Sequence, residues 1–212
     1  MLFTQSLADL PYIIISIIIA FTIHEFAHAY VAYKFGDPTA QKQGRLTFNP
    51  IAHIDPIGAI FILIAGFGWA RPVPVNRHYF KRPKLAGVLV SFAGPFSNLL
   101  LAFIGFAGIS ILDHLGVPRG TAFDLYPFLF MFVSINLMLF AFNLLPLPPL
   151  DGYRIIEDLV TSRVRAIMSK YEVYGSIIFI VLLVTGLSRQ TISPWIGNIS
   201  SYFYNLFYSI FY

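Results

Sequence analysis

The chain has 212 residues, of which 57% are hydrophobic and only 11% are charged. Soluble domains carry about 25% charged residues, so this composition excludes a soluble globular fold. The net charge of +4 comes from basic residues in predicted loops, which indicates membrane topology and not nucleic-acid binding. The sequence contains no cysteine, which excludes disulfides and thiolate ligands and leaves His, Asp and Glu as strong metal ligands.

The apolar segments predict an all-α membrane protein, a polytopic helical bundle of about five to six transmembrane helices. A spanning helix needs about 20 apolar residues. We expect a single domain over residues 1–212, with a core over residues 10–160 and C-terminal helices over residues 171–212. The candidate spans, in chain order, are Leu10–Phe35, Leu85–Leu112, Phe123–Leu145, Tyr171–Leu187 and Pro194–Tyr212. The first span lacks a basic n-region and a cleavage site, so we expect it to be retained.

A further apolar segment, Ile51–Phe67, is interrupted by Asp55 and Pro56 and has too short an apolar run to span. Basic residues flank it on both sides, in Lys34–Arg45 and Arg71–Lys84, and short basic loops are typically cytoplasmic. We therefore expect a re-entrant or extended segment between the first and second core helices. An ordinary sixth spanning helix is the alternative.

This topology takes the first helix from outside to inside. It places the Asp113–Asp124 loop outside and the basic Asp151–Lys170 segment inside. The last two spans then go out and back, which puts the C-terminus inside. The aromatic run Ser201–Tyr212 is interpreted as an interfacial anchor.

Residues 24–28 read HEFAH and lie inside the first predicted span, where ionisable side chains are costly. In a helix, His24 and His28 project from nearly the same face, about 6 Å apart along the axis. Two imidazoles at this spacing can bind one zinc ion, and Glu25 can reach a zinc-bound water as general base. A pair of buried, hydrogen-bonded histidines is the structural alternative.

A catalytic zinc site usually has three protein ligands and an open fourth position. The best candidate for the third ligand is Asp151, in the segment NLLPLPPLDGYR, where three prolines prevent regular helix. Asp151 lies near the inner end of its span, as HEFAH does. The alternative is that Asp151 only caps the helix that begins near Gly152.

Three motifs, HEFAH, AGPFSN (Ala93–Asn98) and NLLPLPPLDG (Asn143–Gly152), occur in this order. Together they resemble the site-2 protease family of intramembrane zinc metalloproteases. The stretches NPIAHIDPIG and GWARPVPVN resemble its short prokaryotic branch, and 212 residues leave no room for the PDZ domains of other members. The resemblance covers about residues 22–154.

The resemblance implies one Zn²⁺ per chain, held by His24, His28 and Asp151, with Glu25 as catalytic base. It implies an intramembrane endopeptidase that cuts transmembrane proteins or peptides near the cytoplasmic face, in regulated intramembrane proteolysis. We expect a multi-pass protein of a prokaryotic cell membrane whose partners are such substrates and the lipid bilayer. A transporter or metal channel would often show internal repeats, and an inactive metal-binding member would not need Glu25.

Several further residues are candidates for the site. Asn98 and Asn143 could stabilise an oxyanion or position substrate, although Asn98 could equally bridge helices. Asn136 is interpreted as packing. His53, two residues before Asp55, could hydrogen-bond a metal ligand or belong to a loop interaction. The GWARPVPVN segment could offer a sheet edge to an extended substrate or form a basic interfacial loop.

Overall fold

The computed structural model describes residues 9–56, 58, 69–120 and 124–212. Its helices are α1 Leu10–Lys34, α2 Thr39–Lys42, α3 Pro83–His114, α4 Tyr126–Asn143, α5 Asp151–Leu159, α6 Ser162–Val184 and α7 Ser188–Phe211, with 3-10 turns at Pro50–Ala52 and Arg77–Tyr79. Within these residues the extended backbone forms only an isolated antiparallel bridge, between Ile54 and Ala70. The predicted all-α class is confirmed.

Among the described helices, four are long and apolar enough to cross a membrane, namely α1, α3, α4 and α6. This confirms a polytopic helical membrane protein, with four such helices against the predicted five to six. The predicted span Tyr171–Leu187 is part of a helix that already begins at Ser162. Most of the predicted re-entrant segment, Ile51–Phe67, lies outside the described residues.

The end of α1 is set by glycine. Gly36 has a φ of +99°, and the N–H of Asp37 donates to the carbonyl of Ala32 at 3.0 Å. This is the Schellman arrangement that commonly ends helices. The turn buries Asp37, whose carboxylate accepts a hydrogen bond from the N–H of Asn76 at 2.6 Å. The end of α1 thereby holds the chain that precedes α3.

The centre of the bundle is α3, which contacts α1, α4, α5 and α7. Small residues allow these helices to approach closely. Ala20, Ala29 and Ala102 are fully buried, and a Cβ atom added to Gly105 would lie 2.9 Å from Cγ2 of Val133 in α4. Close backbone packing of this kind stabilises helix pairs in lipid, where apolar burial gives little net attraction.

The direction of α7 differs from the sequence-based topology. Near its start, the indole N–H of Trp195 donates to the carbonyl of Ala141, at the end of α4, at 3.0 Å. At its end, the hydroxyl of Tyr212 donates to Asp113, at the end of α3. The helix therefore runs antiparallel to α4. The prediction that the last two spans go out and back is wrong, because the C-terminus lies at the end of the bundle that contains residues 113–120 and 124–126, here called the distal end.

Aromatic packing explains this direction. Phe207 is buried, and its ring lies 5.3 Å from that of Phe103 and 6.0 Å from that of Phe106, measured between centroids. Phe211 also packs against both rings of α3. One side of the aromatic run is thus a helix-packing surface and not only the interfacial anchor interpreted from the sequence. Hydropathy and loop charge do not report such packing.

The helix α6, which contains most of the fourth predicted span, leaves most of its surface exposed. Phe179 is its one buried residue, in a cluster with Leu145 and Leu150 from the turn after α4. Closer to its start, α6 accepts a hydrogen bond at the carbonyl of Met168 from the hydroxyl of Tyr153, at 2.8 Å. These contacts place α6 beside α5, at the end of the bundle opposite the distal end.

The chain has no cysteine, so single introduced cysteines can test the direction of α7. We expect Pro118→Cys and a cysteine appended after Tyr212 to react with a membrane-impermeant maleimide from the same side. Arg163→Cys, at the start of α6, is expected to react from the opposite side. Labelling of the appended cysteine together with Arg163→Cys would contradict the direction of α7.

Candidate metal centre

Three buried ionisable side chains of α1 face the interior of the bundle. His24, Glu25 and His28 are only 7–8% exposed. The Nε2 atoms of His24 and His28 lie 3.0 Å apart, as the one-turn spacing predicts for residues on one helix face. Two imidazoles therefore point their tips at one small volume.

A carboxylate from a distant part of the sequence reaches the same volume. Oδ2 of Asp151 lies 3.1 Å from Nε2 of His24 and 3.4 Å from Nε2 of His28. Asp151 is the first residue of α5, whose N-cap is Leu150, and no side chain caps this helix. The helix-cap alternative for Asp151 is therefore not what the structure shows. The structure brings together the three residues that the sequence predicted as ligands.

Hydrogen bonds at the far side of each ring fix which nitrogen carries the proton. Nδ1 of His28 lies 2.7 Å from the carbonyl oxygen of Val90, and Nδ1 of His24 lies 2.6 Å from the side-chain oxygen of Asn98. Both partners are acceptors, so each Nδ1 must donate, and each neutral ring keeps a bare lone pair on Nε2. Asp151 Oδ2 is also buried without a hydrogen-bond donor.

These three electron-rich atoms match a metal site in chemistry and spacing. Ligand atoms placed tetrahedrally at 2.0–2.1 Å from zinc are about 3.3 Å from one another. The distances here are 3.0, 3.1 and 3.4 Å. Two neutral imidazoles and one carboxylate are a common catalytic zinc set, which leaves the fourth position open. A cation between the three atoms would offset the repulsion of their lone pairs, and the spacing of these atoms matches that of zinc ligands.

Space for the cation depends on a glycine in α3. A Cβ atom added to Gly94 would lie 2.2 Å from Nε2 of His28 and 2.6 Å from Nε2 of His24. The next residue, Pro95, has no N–H to continue the helical hydrogen bonding, which loosens α3 at this level. The AGPFSN motif thus brings the backbone of α3 directly against the two imidazole tips.

Glu25 is held from the other side of the cavity by backbone. Residues Trp69–Asn76, here called the strap, are extended between the described part of the 51–58 loop and the turn that precedes α3. The N–H of Val73 donates to Oε2 of Glu25 at 3.1 Å. Pro72 and Pro74 have no N–H, so Val73 supplies the amide at this point of the strap. One carboxylate oxygen is engaged, and Oε1 is left for another partner.

A buried arginine holds the strap in place. Arg45 is 5% exposed, and its guanidinium donates to the carbonyl of Arg71. The N–H of Arg71 donates in turn to the carbonyl of His53 at 2.8 Å. Both backbone groups of Arg71, two residues before Val73, are therefore bonded to the protein.

An ion pair joins the end of the strap to α5. The guanidinium of Arg77 lies 2.9 Å from Oδ2 of Asp158, a residue that is 1% exposed. Arg165 approaches the other oxygen of the same carboxylate at 3.4 Å. Burial raises the pKa of Asp158 to about 6, against the opposing effect of Arg77. The strap and the helix that carries Asp151 are thus tied by a buried charge pair.

A cavity of about 830 Å³ opens onto the three candidate ligands. Its walls come from α1, the strap, α3, the end of α4, and α6. The apolar wall includes Phe21, Trp69, Leu139, Phe142, Phe179 and Ile180. A volume of this size accommodates several residues of an extended peptide, and its apolar surface suits a hydrophobic segment.

The remaining predicted residues occupy different places. Asn143 lines the cavity and donates one amide hydrogen to the carbonyl of Leu139 at 3.0 Å. Asn98 is fully buried behind His24 and is not part of the cavity wall. The ring of His53 bonds to the carbonyl of Thr47 at 2.8 Å. This contact lies within its own loop and corresponds to the loop interaction that was one of the two alternatives for His53.

Sequence reasoning did not identify three contributors to the site: Val73, Gly94 and Arg45. Val73 acts through its backbone, which no side-chain pattern reports. Gly94 belongs to the AGPFSN motif, and a glycine next to a proline in an apolar helix could have indicated close approach. Arg45 resembled the other basic loop residues, although it is buried.

Comparison with known proteins finds a peptidase family and relatives that are named zinc metalloproteases, in agreement with the geometry of the candidate metal centre. The family model described as "Peptidase family M50" matches residues 110–186. The protein named "Putative zinc metalloprotease YwhC" of Bacillus subtilis (strain 168) is 58% identical over 207 residues, which cover 97% of this chain and 94% of that protein. "Putative zinc metalloprotease Rip2" of Mycolicibacterium smegmatis is 28% identical over 86% of this chain and 69% of its own length. No solved structure matches the chain.

The close approach at Gly94 predicts that one methyl group will exclude the metal. We expect Gly94→Ala to lose stoichiometric zinc, because the added Cβ falls 2.2 Å from an imidazole nitrogen. Gly108→Ala, in the same helix, meets only Leu129 at 3.5 Å and should keep its zinc. Elemental analysis of the purified variants measures this. Full zinc content in Gly94→Ala would show that the metal does not lie between these histidines.

Proposed function

Because the chain belongs to peptidase family M50 and is a zinc metalloprotease, we propose that it cleaves peptide bonds within membrane-spanning segments. The observation that carries the proposal is the position of the His24, His28 and Asp151 cluster. It lies inside a helical bundle, on a cavity with apolar walls, and α1 is itself long and apolar enough to span. Burial in such a cavity would stabilise a bound apolar peptide, whereas a polar loop of a soluble protein would gain little from it.

We further propose that the site faces the cytoplasmic half of the membrane. The distal end carries Arg119 beside Asp113 and Asp124. The opposite end, where α1 ends and α3 begins, carries most of the basic loop residues. Because short basic loops are typically retained in the cytoplasm, the end near the candidate metal ligands is assigned to that side.

Each polar group in the proposed mechanism has one task. His24, His28 and Asp151 would hold the zinc ion, which would polarise the scissile carbonyl and would make the attacking water more acidic. Glu25 takes a proton from the attacking water at Oε1 as the water oxygen adds to the carbonyl carbon, and it gives this proton to the amine nitrogen as the C–N bond breaks. The N–H of Val73 holds Oε2 of Glu25, a residue that lines the cavity, and leaves Oε1 for the proton transfer.

Asn143 is the better of the two predicted oxyanion donors. It lines the cavity and uses one amide hydrogen on Leu139, so a second is available to a developing negative charge. Asn98 has no such capacity, because both of its amide hydrogens are engaged within the bundle.

The strap supports the sheet-edge alternative over the interfacial loop. Trp69, Val73 and Val75 line the cavity, so extended backbone lies directly beside the candidate ligands. A transmembrane substrate must unwind before hydrolysis, and an extended chain can pair with backbone groups of the strap other than the N–H groups of Arg71, Val73 and Asn76, which are bonded within the protein. Membership of peptidase family M50 favours a protease over a transporter or metal channel. Glu25, beside the candidate ligands, argues against an inactive member.

The central test replaces the proposed base. We expect Glu25→Gln to keep its zinc and to lose activity by about 100- to 10,000-fold, the usual contribution of general acid–base catalysis. Asp124→Asn, a matched carboxylate-to-amide change at the distal end, should behave as wild type. The measurement is a proteomic comparison of membranes from cells that produce each form, with new chain termini mapped onto substrate sequences.

Two outcomes would overturn parts of this proposal. If wild type generates termini only in loops and soluble regions, cleavage within membrane-spanning segments is wrong. If Glu25→Gln generates the same termini at the same rate as wild type, Glu25 is not the base.

The backbone contact to Glu25 predicts a separate effect. Val73→Pro removes the donated N–H, and a hydrogen bond to a charged group is worth about 1.5–3 kcal/mol, so we expect kcat to fall by about 10- to 100-fold. Val73→Ala removes only the side chain and should retain kcat. Initial rates on a substrate found in the proteomic comparison distinguish the two. Equal rates for both variants would exclude a role for this amide.

A further inference from the structure

We propose that Asn98 and Asn136 are positioning residues for the metal centre, which together hold His24 in the tautomer that leaves Nε2 free for the metal. The inference rests on the proposed role of His24 as a ligand. The two asparagines lie in α3 and α4, both are fully buried, and neither lines the cavity. They are therefore out of reach of a substrate.

The amide of Asn98 is used completely. Its side-chain oxygen lies 2.6 Å from Nδ1 of His24. Its nitrogen donates to the carbonyl of Ala20 at 3.3 Å and to the side-chain oxygen of Asn136 at 3.1 Å. One acceptor and two donors are each matched to one partner, so no other orientation of this amide satisfies the same neighbours.

Backbone carbonyls fix the donor and the acceptor of each hydrogen bond between Asn136, Asn98 and His24. The nitrogen of Asn136 donates to the carbonyl of Phe132 at 2.8 Å, so its oxygen must face Asn98. That oxygen, with the carbonyl of Ala20, requires two donors from Asn98 and turns the oxygen of Asn98 toward His24. Because an amide oxygen can only accept, Nδ1 of His24 carries the proton. The tautomer of the ring is thus set by fixed acceptors two hydrogen bonds away.

His28 has a simpler partner at Nδ1 than His24 has. Its Nδ1 donates directly to the carbonyl of Val90, a backbone group already fixed by α3. His24 has a side chain in the equivalent place, and a side-chain amide can flip unless it is itself held. Asn136 supplies that restraint. Partners of this kind behind a metal ligand typically change metal affinity by 10- to 100-fold when removed.

The test measures zinc affinity of the full chain in detergent micelles, by competition with a chromophoric chelator. We expect Asn98→Leu, which has no acceptor, to weaken zinc binding by about 10- to 100-fold. Asn98→Asp loses both donated hydrogen bonds but keeps an acceptor for Nδ1–H, so it should bind zinc more tightly than Asn98→Leu. Asn136→Leu frees the amide of Asn98 to flip, and we expect an intermediate loss. Equal affinity in wild type and Asn98→Leu would overturn the proposal.

His24→Ala separates this inference from the proposed function. If His24→Ala binds zinc as tightly as wild type, His24 is not a ligand, and the metal site itself is wrong. If His24→Ala loses zinc and Asn98→Leu does not, only the positioning role fails. Neither result depends on whether the chain cleaves a membrane-spanning substrate.

A spectroscopic measurement reads the tautomer of His24 directly, without reference to zinc affinity. In metal-free wild type with ¹⁵N-labelled histidine, we expect the His24 signals, assigned by their absence in His24→Ala, to show the Nδ1–H form. Asn98→Leu should show a mixture of tautomers, and Asn98→Asp should restore the Nδ1–H form. A merely structural asparagine would leave the tautomer unchanged. Finding the Nε2–H form in wild type would overturn the inference directly.

Discussion

Two imidazole nitrogens and one carboxylate oxygen face one another at 3.0–3.4 Å. When both rings are neutral, the lone pairs of these three atoms repel one another unless a cation lies between them. The surrounding helices hold this arrangement: α3 accepts the outer proton of each ring and supplies a glycine where any side chain would intrude, and α5 delivers the carboxylate. Metal binding and packing of the core are therefore coupled, because the cation compensates an energy that the fold otherwise bears.

The parts of the site that could be predicted from the sequence are those fixed by local geometry. The helical period alone puts His24 and His28 on one face, and the prolines before Asp151 require an irregular turn at the depth of the histidines. The parts that could not be predicted depend on partners far away in the chain. Arg45 looks like any basic loop residue until the carbonyl of Arg71 is placed beside it.

The same reasoning explains the errors in topology and residue role. Hydropathy located the last helix, but its direction follows from Phe207 and Phe211 packing on α3, and loop charge carries no information about that contact. Asn98 was ambiguous for a different reason. An amide both donates and accepts, so its chemistry is decided only when neighbours such as Ala20 and Asn136 are known.

The buried pair between Arg77 and Asp158 has a mechanical consequence. Asp158 lies two turns along the helix that begins with Asp151, and Arg77 follows directly on the strap. Any outward movement of the strap must therefore either break this pair or move α5 with it. Breaking it leaves the buried carboxylate of Asp158 with only the longer contact to Arg165, whereas moving α5 displaces Asp151, the proposed third metal ligand. The position of the strap and the position of the proposed ligand Asp151 are thus mechanically linked.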